Sequence, residues 1–140
     1  MIQRIQSVWL LLASIFSFST IHFSFFSGNI LDTTTNTKMF QTLTATTSIA
    51  NLIITIAIAA ASLVVIFLYK DRKRQILVSI GILTLSILNI VLYYFESKKF
   101  IEGNYSLTAL ITLFIPMLII AAIRGIWKDE QLIKSTDRLR

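Results

Sequence analysis

The sequence predicts an all-α integral membrane protein: a four-transmembrane-helix antiparallel bundle, N-in and C-in, with a short cytoplasmic helical tail. Three observations predict it. Four stretches of roughly twenty residues each run almost free of charge. Lys and Arg collect in the segments that would lie on one side of those stretches. Trp and Tyr fall toward the stretch ends, where amphipathic rings meet the headgroup layer. Composition agrees, at 55% apolar and 14% charged residues, against about 25% charged in an ordinary soluble domain. A soluble bundle needs a wet face on every helix, and these stretches leave none.

A bilayer core about 30 Å thick takes roughly 20 helical residues to cross. The stretches at about 5–26, 48–69, 75–95 and 106–127 qualify, in one membrane domain covering 1–140 with a tail at 128–140. The first three hold no Asp, Glu, Lys or Arg, and the fourth reaches its first charge only at Arg124. Helices satisfy the backbone over such lengths without strand-like alternation. Arg4 followed by an apolar run imitates a secretory signal, but no A-x-A pattern follows, so the first stretch is read as an uncleaved span.

Of the 13 basic residues, ten fall on one side: Arg4, the run from Lys70 to Arg74, and Arg124 onward. Lys38, Lys98 and Lys99 fall on the other. The positive-inside rule makes the richer side cytoplasmic. The chain is then multi-pass, with both termini in the cytoplasm. The five residues KDRKR force the second and third spans into a tight hairpin. The longer loop SGNILDTTTNTKMFQTLTATT is Thr-rich, and its β-branched TTT disfavours helix, so an irregular external cap is expected. Asn104-Tyr105-Ser106 matches a glycosylation acceptor, a weak three-residue pattern beside a membrane.

Within the spans, polar side chains are expected to bond between helices. Asn51 and Asn89 both fall in the outer half and are expected to pair. Ala57 with Ala61, and Ala121 with Gly125, have the small-xxx-small spacing that lets helix backbones approach. Pro116 removes a donor to the Thr112 carbonyl and should bend the fourth span. His22, among aromatics near an outer end, reads as an interfacial histidine; a pH sensor is the sharper alternative.

Chemistry has little to work with. There is no cysteine, hence no disulfide, thiolate ligand or cysteine nucleophile. Paired carboxylates, a His/Asp/Glu ligand set and a Gly-rich phosphate loop are all missing from the sequence. The expectation is a protein that is not an enzyme, with no catalytic residue, no metal and no cofactor. The net charge of +6 reports orientation rather than nucleic-acid binding, since stacking aromatics are missing from the tail and acids interrupt its basic patch.

The tail RGIWKDEQLIKSTDRLR carries eight charges of both signs. Glu130 and Lys134 have the favourable i, i+4 order, which extends the fourth helix past the bilayer. Ile126, Leu132, Ile133 and Leu139 make a narrow apolar stripe suited to a partner helix. With the opening MIQRIQSVWLLL, this tail resembles a family of small bacterial four-span inner-membrane proteins classed as a domain of unknown function. The resemblance maps onto Ile2, Gln3, Arg4, Gln6 and Ser7, and onto Arg124, Gly125, Lys128, Asp129, Glu130, Leu132, Ser135, Asp137, Arg138, Leu139 and Arg140. It implies an integral inner-membrane protein without an assigned activity.

Both matched ends fall on the cytoplasmic side. Gln3, Arg4, Gln6, Arg124, Lys128, Asp129, Glu130, Asp137, Arg138 and Arg140 are therefore the candidate partner-binding residues. The function this favours is a non-enzymatic scaffold or accessory subunit that meets the lipid bilayer and another membrane or cytoplasmic protein. The alternative is a small transporter, channel or lipid-handling protein acting as a homo-oligomer.

Overall fold

The computed structural model describes residues 5–31, 37–69 and 71–137, without the side chains of 31 and 133–137. Gln3, Arg4, the three threonines at 33–35, Arg138 and Arg140 lie outside the described residues, as does the side chain of Asp137.

The chain is mostly helical, with α1 at Ile5–Ser19, α2 at Ile49–Phe67, α3 at Arg72–Ser97 and α4 at Ala109–Asp137. Strands β1 at Phe26–Leu31, β2 at Lys38–Leu43 and β3 at Glu102–Tyr105 complete it. The helices α2, α3 and α4 are long and apolar enough to cross a membrane. At 1.5 Å per residue they measure about 28, 39 and 43 Å. α1 is also apolar but shorter, about 22 Å.

The expected first span, 5–26, is thus corrected at its far end. Backbone bonds from Ile21 and His22 back to Phe18 and Ser19 tighten the last turn. Three side chains, Ser17, Ser19 and Thr20, bond carbonyls three or four residues back. Such bonds offer the backbone an alternative to continued helix. Phe26 then enters β1.

α1 packs against α2 and α4, and α3 packs against the same two. Asp71 begins α3 by accepting the Arg74 backbone N–H and pairing with the Arg74 guanidinium at 2.9 Å. That cap, and the Gln75 amide donating across to the Val65 carbonyl at 3.1 Å, fix the expected hairpin. Pro116 lies inside α4, which continues unbroken as helix through it.

The sheet is the second departure. Its order is β2-β1-β3, antiparallel throughout. It corrects both the all-α reading and the irregular cap. Phe26 faces Leu43 on one side and Tyr105 on the other; Gly28 faces Gln41 and Gly103. Phe25, Phe26, Leu43, Ala45, Tyr93 and Ala109 form a buried cluster that fastens this sheet to the helix ends. Phe25 stacks on Tyr93 at 4.8 Å, and Phe26 meets the Tyr105 edge at 5.1 Å. Tyr93 is 1% exposed, its ring held within this cluster.

Lys38 of β2 reaches across β1 to the Glu102 carboxylate at 3.0 Å. That hydrogen bond, then the Lys38 charge, holds the Glu102 carboxyl below its ordinary range. A carboxyl depressed on folding adds stability above its unfolded pKa of 4.5 and loses it as pH falls through the lower folded value. Glu102→Gln should therefore lower the thermal midpoint slightly at neutral pH, converge with wild type in acid, and so flatten the curve as pH falls from that value through the folded one. An acid limb as steep as that of wild type would contradict the assignment.

Candidate functional site

The helices bury polar residues among their apolar core and turn many large apolar side chains outward. On α3 the buried positions are Gln75, Ser79, Ile82, Ser86, Asn89, Tyr93 and Ser97, a three- and four-residue rhythm that marks one face. α2 buries Asn51, Thr55, Ile58, Ala59, Ser62 and Val65. Meanwhile Val64, Leu77, Ile87, Leu113 and Met117 are exposed. Water would penalise that arrangement, and a hydrocarbon solvent favours it.

Small residues make the closest helix contacts, though not all the expected ones. Ala57 is exposed; Ala59 and Ser62 occupy the α2 interface, with Ala61 only partly buried beside them. Ser14 of α1 donates to the Ala59 carbonyl at 3.0 Å, so these backbones approach directly. On α4, Ala122 is buried and Ala121 only half-buried. Gly125 does what its spacing predicts, because a Cβ placed there would stand 3.2 Å from Gln6 Cβ.

That contact defines one end of the molecule. Gln6, 3% exposed, lies against Gly125. Arg72 at the start of α3 pairs with Asp129 on α4 at 3.8 Å. Gln6, Arg72, Gly125 and Asp129 thus gather where α1 begins and α4 extends, with Arg124 and Lys128 exposed nearby in sequence. Asp129, a candidate for binding a partner, already has one inside the chain. Glu130 is half-buried. The apolar stripe divides: Ile126 is fully buried in the core and Leu132 is 58% exposed.

The opposite end carries the sheet and a polar knot between α2 and α3. Asn51 Nδ2 donates to Glu96 Oε2 at 2.9 Å, and Asn89 Nδ2 donates to Thr55 Oγ1 at 3.2 Å. The expected Asn51–Asn89 pair is corrected: the two amides make different bonds, Asn51 to Glu96 and Asn89 to Thr55. Tyr93, four residues on from Asn89, shares the same buried face of α3. Sequence reasoning missed Glu96, since it ended the third span at Phe95 while α3 continues to Ser97. The signal was present in the matched spacing: antiparallel partners 51 with 96 and 55 with 89 keep a nearly constant sum. Thr84, expected to bond between helices, is exposed and donates to its own helix at Ile80. His22 is exposed in the turn after α1.

The profile of a Domain of unknown function (DUF4293) matches residues 2–139, nearly the whole chain. The chain belongs to the DUF4293 family. No curated protein and no solved structure gives a significant match. The DUF4293 match takes in the basic end, the polar knot and every candidate binding residue except Arg140. Membership brings no activity with it, so function must be argued from this geometry.

Proposed function

We propose that the protein is a four-pass bacterial inner-membrane protein acting as a non-enzymatic scaffold or accessory subunit. Its cytoplasmic N-terminus and C-terminal tail together bind a membrane or cytoplasmic partner protein. Three helices of spanning length with apolar exteriors support the membrane setting. Ten of 13 basic residues on one side support termini that face the cytoplasm. The first pass is α1, shorter than the other three.

One observation carries the partner reading. The Gln6–Gly125 contact and the Arg72–Asp129 pair bring the beginnings of α1 and α3 against the far part of α4. Three segments distant in sequence thereby form one composite edge, and α4 runs on past it to Asp137. Co-purification in mild detergent tests this by comparing the full chain with one ending at Lys128. The full chain should retain a stoichiometric partner that the shortened chain loses. Identical partner sets would end the proposal.

A second reading, a small transporter, channel or lipid-handling oligomer, is favoured by the polar interior. Buried amide oxygens of Gln6, Asn51, Gln75 and Asn89 have no hydrogen-bond partner among the described residues. Polar groups along a membrane interior can line a path. Flux by the protein alone in reconstituted vesicles would select that reading, and a scaffold shows none.

A further inference from the structure

The polar knot beside the sheet has an imbalance that helix packing alone does not explain. Asn51 is fully buried and Asn89 is 2% exposed. A carboxylate accepts hydrogen bonds and cannot donate them, so Glu96 must face the Asn51 NH₂, which turns Asn51 Oδ1 the other way. Asn89 donates its NH₂ to the Thr55 hydroxyl. Both amide oxygens are left buried without a donor. Each such orphan costs about 1–3 kcal/mol. Two on facing helices, next to a carboxylate, require an explanation.

Glu96 has no ion-pair partner among the described residues. Lys98, two residues on, lies over the exposed Tyr94 ring at 4.8 Å. What remains is a set of hard oxygen groups with one negative charge: two amide oxygens, a carboxylate, and the Thr55 and Tyr93 hydroxyls. Phe25 stacked on Tyr93, within the buried aromatic cluster, shields the set on the sheet side. Low polarity strengthens attraction to any cation held there.

We propose that Asn51, Asn89 and Glu96, with Thr55 and Tyr93, form a binding site for a small monovalent cation. Oxygen donors suit a hard ion, and a single carboxylate balances a single positive charge. The bound ion would tie α2 to α3 where the sheet joins them. This goes beyond the scaffold reading and does not rest on it.

The test uses full-length protein purified in detergent and exchanged into N-methyl-D-glucamine chloride. Sodium, lithium or potassium chloride is then titrated in at constant chloride while thermal unfolding is followed, with radioactive sodium binding measured in parallel. At least one of the three ions should raise the midpoint saturably, as binding to the native state alone requires. Glu96→Gln should weaken that response about tenfold or more, and Glu96→Asp, which keeps the charge, should restore part of it. A wild-type protein indifferent to all three ions overturns the proposal, whether or not the variants fold. So does an equal response in wild type and Glu96→Gln.

Discussion

Replacing Gly28 by valine is expected to unlace the sheet and cost about 3 kcal/mol or more. Gly28 and Gly103 are direct cross-strand partners. A Cβ on Gly28 would run into the Glu102 carbonyl oxygen and come within 2.7 Å of Gly103 Cα. A Cβ on Gly103 would stand 2.6 Å from Phe26 Cε1 and 2.8 Å from Gly28 Cα. Most of these obstacles are backbone and cannot rotate away. The strands would have to separate, and Phe26 would lose its contacts with Tyr105 and Phe100. Thermal unfolding in detergent, with hydrogen exchange at Ser27 to Asn29, measures the loss. Gly81→Ala is the matched control, because a Cβ there meets nothing within 4 Å. It should stabilise slightly, by about 0.5–1 kcal/mol, through helix propensity. Equal behaviour of the two variants would mean that β1 and β3 do not approach as described.

The contrast between these glycines also shows what the sequence reveals and what it conceals. α2, α3 and α4 were legible because lipid imposes a simple rule, an unbroken apolar run of sufficient length. The hairpin at KDRKR was legible because so few residues allow no other connection. The sheet was not, since β3 is contributed by residues more than seventy positions after β1 and only four residues long. No local pattern distinguishes EGNY from a loop. The end of α1 was concealed for a related reason: Ile21, Phe23 and Phe25 continue the apolar run after the helix has stopped. Small-residue spacing gave the right helix but the wrong face on α2. It paired Ala57 with Ala61, whereas the buried polar residues Asn51, Thr55 and Ser62 already marked the inner face. In a membrane protein, polarity inside the span locates the interior better than small size does. That same rule, applied to Gln75, Ser79, Ser86 and Asn89, outlines the buried face of α3 directly from sequence.

Gly125→Leu should separate α1 from α4 and is the second substitution expected to act strongly. The space is already close: a bare Cβ would lie 3.2 Å from Gln6 Cβ and 3.7 Å from its Cα. Alanine would require Gln6 to move by a few tenths of an ångström, and its α-carbon belongs to a helix whose Leu10 and Ala13 are fully buried. Leucine adds a branched side chain where that movement is exhausted, so overpacking should cost about 1–3 kcal/mol. The consequence extends past stability. Gln6 is the described residue that ties the beginning of α1 to the composite edge, while Arg72–Asp129 ties α3 to it independently. Gly125→Leu should therefore weaken partner retention in detergent while the α2–α3 hairpin, held by Gln75 and Val65, survives. Gly125→Ala should fall between wild type and leucine in both measurements. A leucine variant that melts earlier yet keeps its full partner would place the binding surface on the α3–α4 side alone, and the proposed contribution of the N-terminus would be withdrawn.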